Sequence, residues 1–358
     1  MAIQAVAPSE PMGVGRLLDQ AVRLYRGSFL TFVGIIAVVQ VPLVALQLLI
    51  SMLTFGPAMD AALDPSADSL DSVFGPGFMT GIGATALVGL ATFVLLQGVA
   101  TAALTRAIAD RYMGNSPGIL EAYRRVGGAW LRLLGALFLL GLISIGLLIW
   151  LIIPCIGWFT GPGMLAFTIL ALLPLLAPIV VVEGATATQA IRRAWDLARR
   201  RFWWLMGFFL ALLVFAQVII TGPTTLLILV FQLIVGDPFA TNQSTFAIQT
   251  VVQSVSGLAL SLVYLPLQLT AVTLVYFDTR VRTEGFDLAV LARGESGQSS
   301  DVAAVASAAP KAAAQRLITG RELLNFALLS LGAVVIYFVF LGIGMLLGIL
   351  MMGSSGGF

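Results

Sequence analysis

The residues with the clearest capacity for chemistry flank the apolar segments of this chain rather than lying within them. Carboxylates and guanidinium groups form bidentate, charge-assisted hydrogen bonds, and arginine binds phosphate in the same geometry. Acidic and basic residues occur together at 183–195 and again at 278–287. This pattern predicts either an ion-pair latch between the two segments or a site for a phosphate-bearing lipid or metabolite. The candidate residues are Glu183, Arg192, Arg193, Trp195, Asp278, Arg280, Arg282, Glu284 and Asp287.

Catalytic and metal-binding chemistry finds little support in the residue types. The chain has no histidine and one cysteine, which excludes histidine ligands, histidine proton transfer and a disulfide within the chain. No paired carboxylates or nucleophile–base pair lies within the apolar segments. We therefore expect no enzyme activity, no metal and no cofactor. The lack of charge near mid-segment also argues against an ion-coupled transporter, without excluding one.

The polar residues inside the apolar segments are mostly glutamines. Gln40 and Gln47 are seven residues apart, so they share one face of a helix. Together with Gln268 they form a candidate intramembrane polar face. Two interpretations stay open, hydrogen bonds between helices or the lining of a polar cavity.

Composition and apolar runs define the architecture that must position these residues. The 358 residues are 59% hydrophobic and 10% charged, against about 25% charged in soluble domains, and the mean hydropathy is +1.02. The pattern predicts an all-α, polytopic transmembrane bundle of about seven spans. A net charge of +2 does not suggest a nucleic-acid partner. The predicted spans are 29–55, 78–104, 131–153, 164–182, 202–221 with a kinked or re-entrant continuation over 223–235, 251–276 and 323–352.

The distribution of basic residues predicts the orientation. All 19 Lys and Arg residues fall before the first span or within 106–132, 192–201 and 280–321, and the alternate loops at 56–77, 154–163 and 236–248 have none. The positive-inside rule then places the N-terminus in the cytoplasm and the C-terminus outside, in a bacterial-type inner membrane. We divide the chain into a membrane domain (1–289), a flexible cytoplasmic linker (290–318) and a C-terminal transmembrane helix (319–358). The first span is expected to act as an uncleaved signal.

Three arginine-rich segments repeat one pattern just before a span. Apolar residues at i, i+3, i+4, i+7 and i+11 form one stripe of a helix. The stripes are Leu18, Ala21, Val22, Tyr25 and Phe29; Ile119, Ala122, Tyr123, Val126 and Trp130; and Ile191, Ala194, Trp195, Ala198 and Phe202. We call these segments the elbow helices. The pattern predicts that they lie in the membrane interface with aromatic residues at headgroup depth, serving either insertion alone or contact with anionic lipids or partner proteins.

Two runs of sequence resemble the membrane domain of glycerophosphoryl diester phosphodiesterases. They are VVEGATATQAIRRAWDLARRRFWWLMG, over 181–207, and YFDTRVRTEGFDLA, over 276–289, and the opening LLDQAVRLYRGSF is similar as well. The resemblance covers about 14–289. The catalytic barrel that some members carry has no counterpart here, so the resemblance implies the membrane part alone and no phosphodiesterase activity.

These observations favour a non-catalytic membrane protein that organises or binds lipids or partner proteins. The alternative is a transporter or flippase-like carrier for an amphipathic or phosphate-bearing substrate. The expected partners are membrane lipids, including anionic headgroups, with a homo-oligomer or another membrane protein left open. Gly344 and Gly348 form a weak GxxxG signal for close helix packing.

Overall fold

A computed structural model describes residues 13–63, 76–116, 118–235, 243–295, 304–306, 309–310 and 319–355. Every regular element in these ranges is a helix, which confirms the all-α class. Six helical stretches are long and apolar enough to cross a membrane, so the protein is a multi-pass membrane protein. We name them span 1 to span 6, in the order Phe29–Thr54, Gly77–Tyr112, Ala129–Trp150, Ile156–Glu183, Phe202–Ile234 and Ala247–Glu284.

The individual helices show where the spans deviate from regular α geometry. In chain order they are Val14–Gly27, Phe29–Leu63, Pro76–Thr92, Thr101–Tyr112, Ile119–Val126, Ala129–Trp150, Ile156–Phe167, Leu173–Glu183, Ala187–Arg200, Phe202–Ala216, Gly222–Val235, Gln243–Glu284, Phe286–Glu295 and Gly320–Ser355. Spans 2, 4 and 5 each contain a π-helical segment, at Phe93–Ala100, Thr168–Leu172 and Gln217–Thr221. Such segments interrupt the regular hydrogen-bond ladder and are frequent at functional sites.

Several predicted boundaries are wrong. The helix of span 1 continues to Leu63, and span 4 begins at Ile156, so most of the loop predicted at 154–163 is helical. Of the two alternatives predicted for 223–235, the continuous one fits and the re-entrant one does not. A π-helical segment ends at Thr221, just before Gly222 and Pro223, and the helix continues to Val235. Residues 64–75 and 236–242 of the other predicted loops lie outside the described residues.

The C-terminal helix, Gly320–Ser355, docks against the first half of span 4. The backbone N–H of Gly163 donates a hydrogen bond to Ser330 Oγ at 2.7 Å. A Cβ on Gly163 would overlap the carbonyl oxygen of Phe326, so this crossing requires glycine. The surroundings of Gly344 and Gly348 are not described, and both the GxxxG contact and the seventh crossing stay predictions.

The buried core lies at one end of the bundle. Residues 102–105 and 107–110 of span 2, 175–182 of span 4 and 270–281 of span 6 are buried. At the opposite end large apolar side chains are exposed, including Leu233 (87%) and Ile152 (77%). Buried ion pairs of arginine occur at the packed end, which we call the arginine end. The exposed apolar belt is the surface expected to face lipid.

Each elbow helix forms, as Val14–Gly27, Ile119–Val126 and Ala187–Arg200, and each buries one face against the spans. The Tyr25 hydroxyl donates to Val263 O at 2.8 Å, and the Tyr123 hydroxyl donates to Ile35 O. These two tyrosines therefore pack against the spans, which offer both apolar surface and a carbonyl acceptor, and their depth relative to the headgroups stays a prediction. Membrane-surface placement of the helices themselves stays a prediction.

Burial of Tyr123 predicts a loss of stability in alkali. Burial raises the pKa of Tyr123 to about 12, whereas the unfolded chain titrates near 10. The unfolded state then releases its proton first, so stability is complete below about pH 10 and falls as pH rises towards 12. Melting temperatures in detergent between pH 9 and 12 should fall less steeply in Tyr123→Phe than in the wild type. Parallel curves for the two proteins would contradict this.

The segment predicted as a flexible linker, 290–318, contains ordered parts. A helix runs over Phe286–Glu295, and Val305, Ala306 and Ala309 are buried. These small apolar side chains contribute to the main core. Most of the remaining linker lies outside the described residues, so the division into three domains stays a prediction.

Candidate functional site

A buried cluster of four charges joins three helices at the arginine end. Glu183 ends span 4, Arg193 lies on the third elbow helix, and Arg280 and Glu284 lie on the last turns of span 6. Their side chains are 2%, 11%, 0% and 0% exposed, in that order. Two positive and two negative charges sum to zero, which is the composition that makes burial of charge tolerable.

Hydrogen bonds connect all four charges of the cluster. Arg193 Nε donates to both carboxylate oxygens of Glu183 at 3.1 Å, and its two terminal nitrogens donate to the two oxygens of Glu284. Arg280 Nε donates to Glu284 at 2.9 Å. Arg280 also donates through Nη2 to Ala306 O at 3.2 Å, so the cluster holds part of the segment that follows span 6.

Tyr276 connects the acids and bases of this cluster. Its hydroxyl donates to Glu183 Oε1 at 2.8 Å and accepts from Arg280 Nη1 at 3.2 Å. Residues 276, 280 and 284 recur every four positions, so they lie on one face of span 6. Tyr276 was not among the candidate site residues, although this spacing could have identified it.

Local backbone signals bring Glu183 and Arg193 together. Gly184 has φ +66°, in the left-handed region, and ends span 4. Thr186 and Gln189 then form a capping box that begins the third elbow helix. Burial alone would lower the pKa of Arg193. Its hydrogen bonds to Glu284 and the charges of Glu183 and Glu284 have the larger, opposite effect, so the pKa lies above its ordinary value. Arg193 is therefore a permanent cation that is fully engaged.

A second charged group surrounds Asp278. Its side chain is 0% exposed; Arg201 Nη1 donates to it at 2.8 Å and Arg282 Nε at 3.0 and 3.2 Å. The Arg201 guanidinium also lies 3.9 Å from the Trp204 ring centroid, a cation–π contact. Burial and the nearby Arg282 charge lower the pKa of Arg201, and Asp278 offsets part of that effect. Arg201 was missed because nothing in the sequence distinguishes it within the arginine run.

The remaining charged-site candidates occupy other environments. Trp195 packs edge-on against Phe167, with ring centroids 5.3 Å apart, and tilted against Phe326 at 5.9 Å. It therefore packs on the aromatic core, and a contact of Trp195 with a lipid headgroup stays a prediction. Asp287 makes no hydrogen bond or ion pair with the described residues of the four-charge cluster or of the group around Asp278. Arg192 is exposed and makes no ion pair with any described residue.

Arg192 borders a groove between the third elbow helix and span 3. The groove has a volume of about 430 Å³. Three apolar residues of span 3 form one wall, and the elbow helix contributes a hydroxyl, an apolar side chain and the guanidinium. Its lining is Leu139, Leu142, Ile143, Thr188, Ile191 and Arg192.

The candidate glutamines fall into two separate cavities. Gln268 lines an inner cavity of about 390 Å³ among spans 1, 2, 3, 4 and 6, together with Gln97 and Thr101. Gln40 and Gln47 line a different cavity of about 430 Å³ between spans 1 and 6, which we call the seam. The three residues therefore do not form the single polar face that the sequence predicted.

Comparison with known proteins provides no identification, since no family model, curated protein or solved structure matches this chain. The resemblance to the phosphodiesterase membrane domain stays a prediction.

Proposed function

We propose that this protein is a non-catalytic integral membrane protein that binds anionic lipid at its arginine end. The observation that carries the proposal is the contrast between two adjacent arginines. Arg193 has its donors committed to Glu183 and Glu284. Arg192 is exposed beside the groove that span 3 lines with apolar side chains.

The groove has the two parts that a lipid requires. Leu142 and Ile143 are 49% and 44% exposed, and provide apolar surface for an acyl chain. The Arg192 guanidinium can bind a phosphate oxygen at the end of that surface. An arginine near an anionic bilayer surface contributes about 1 kcal/mol. Placing the arginine end in the cytoplasm, at the inner leaflet, is part of the same proposal.

The buried cluster supports a structural role for the other arginines. Every charge in it has an opposite charge within hydrogen-bond distance, so binding a phosphate at Arg193 or Arg280 would first break an existing ion pair. That exchange is unfavourable in a site with so little exposure. The cluster is therefore best interpreted as a latch between spans 4 and 6 and the third elbow helix.

Lipid retention after exchange into detergent tests the proposed site. In native mass spectrometry we expect Arg192→Gln to retain anionic lipid about fivefold less than the wild type, because about 1 kcal/mol corresponds to that factor. Arg124→Gln is the matched control, since Arg124 is also exposed but does not line the groove. Equal retention in the wild type and Arg192→Gln would overturn the proposal, as would an equal loss in Arg124→Gln.

The inner cavity supports a second candidate function, the transport of an amphipathic substrate. Leu173, in its lining, precedes Glu183 by ten residues, so the cavity reaches about 15 Å into the bundle from the charged cluster. The packed arginine end closes it on that side. Carriage requires another conformation in which the cluster separates, and distances between spin labels on spans 4 and 6 would detect it.

A further inference from the structure

The seam contains an unusual concentration of uncharged polar side chains for a membrane bundle. They follow one face of span 1 and the facing side of span 6, and no described lining residue is charged. The principal polar residues are Gln40, Gln47, Ser51, Gln253, Ser254 and Ser261. Groups of this kind exchange hydrogen bonds with hydroxyls and amides but offer no countercharge to an ion.

One buried acceptor of the seam lacks a hydrogen-bond partner among the described residues. Gln40 Nε2 donates to Ser261 Oγ at 2.6 Å, and Ser261 Oγ donates to Leu258 O at 2.9 Å. With the serine proton on Leu258 O, the serine oxygen accepts from the amide nitrogen, and the Gln40 amide is assigned in that orientation. Gln40 Oε1 is then a buried acceptor with no partner among the described residues. Leaving such an acceptor unpaired is unfavourable.

The seam adjoins the inner cavity. Ile36 lines the inner cavity and Gln40 lines the seam, one helical turn apart on span 1. Leu265 and Ser261 have the same relation on span 6. The polar seam therefore leads within one turn to a mainly apolar chamber whose lining includes Phe93, Leu133 and Leu137.

We infer that the seam and the inner cavity together form a binding site for an uncharged amphipathic molecule with hydroxyl groups. The hydroxyl-bearing head occupies the seam and donates a hydrogen bond to Gln40 Oε1, and the apolar tail enters the inner cavity. An anionic head is disfavoured, because no cation in the described lining compensates its charge. This site is separate from the Arg192 groove and requires no movement of the molecule across the membrane.

Three probes with the same acyl chain test the ligand chemistry on the wild-type protein. A monoacylglycerol supplies hydroxyl donors, the methyl ester of the same fatty acid supplies none, and the ionised fatty acid supplies a negative charge. In native mass spectrometry of the protein in a neutral detergent, we expect the monoacylglycerol to bind about five- to tenfold more tightly than either of the others. Equal binding of monoacylglycerol and methyl ester would overturn the inference and leave water as the occupant of the seam.

A pair of variants locates the site. Gln40→Met keeps the length of the side chain and removes the acceptor, so the preference for monoacylglycerol over methyl ester should disappear. Gln232→Met makes the same change at an exposed position outside both cavities and should preserve the preference. A preference unchanged in Gln40→Met would contradict the assignment. If Gln40→Met does not fold, Ser51→Ala replaces it: loss of this lining hydroxyl should weaken the preference for monoacylglycerol, and an unchanged preference would contradict the assignment.

The same measurements separate this inference from the proposed lipid function. Gln40→Met should leave anionic-lipid retention unchanged, whereas Arg192→Gln should leave the monoacylglycerol preference unchanged. Either site can therefore fail its test while the other passes.

Discussion

Replacing Glu284 by glutamine is expected to destabilise the protein by about 3–5 kcal/mol, the usual consequence of removing one partner from a buried ion pair. Glu284 accepts hydrogen bonds from both Arg193 and Arg280, and its side chain is 0% exposed. The variant leaves two buried guanidinium groups facing one carboxylate, that of Glu183. Equilibrium unfolding in mixed detergent micelles measures the loss directly.

Glu121→Gln is the matched control for this prediction. Glu121 pairs with Arg125 four residues later, but the two side chains are 48% and 44% exposed. An exposed pair contributes at most about 1 kcal/mol. The double variant Arg193→Met/Glu284→Met tests the cause, because it restores charge balance with Arg280 still beside Glu183. It should be less destabilised than Glu284→Gln alone. The opposite order would show that lost contacts, rather than unbalanced charge, determine the effect.

Replacing Gly163 by alanine is expected to weaken the docking of the C-terminal helix. The added Cβ would overlap the carbonyl oxygen of Phe326 and lie 2.9 Å from Ser330 Oγ. Because the nearest atom belongs to the backbone, the two helices must separate, which would also lengthen the hydrogen bond from Gly163 N to Ser330. Overpacking of this kind costs about 1–3 kcal/mol. The melting temperature in detergent should fall accordingly.

Gly141→Ala provides the comparison within another span. Gly141 lies in span 3, and a Cβ there meets no atom within 4 Å. Alanine is favoured over glycine in a helix by about 0.5–1 kcal/mol, so this variant should be neutral or slightly stabilised. A similar fall in melting temperature for both variants would indicate a general effect of glycine loss and would sink the docking explanation.

The fold was predictable to the extent that it depends on local apolar runs. Six long apolar helices and the three elbow helices follow from hydropathy and helical periodicity. For the course through Pro223 the sequence left two alternatives open, because a proline can end an α-helix but a π-helical segment beside it can also absorb it. The packing of Gly163 against Phe326 was also invisible, since it joins residues 163 positions apart through backbone shape alone.

The residue types of the charged site and the two segments that it joins were predictable, but the individual pairs of side chains were not. The sequence placed Glu183, Arg193, Arg280 and Glu284 among the candidates, and the structure brings these four into one cluster. Arg192 and Arg193 look equivalent in the sequence. Only the direction of each side chain on the elbow helix separates the committed cation from the exposed one. The split between Gln268 and Gln40 likewise depends on which neighbouring helices enclose each glutamine.

The uncharged lining of the seam has a consequence for the energetics of the bilayer. A membrane potential does work only on charge that moves through the field, about 2.3 kcal/mol per elementary charge for each 100 mV. Neither a hydroxyl-bearing guest nor the side chains that receive it carry net charge. The membrane potential therefore does not change the occupancy of this site. Occupancy depends instead on the concentration of the ligand in the surrounding bilayer.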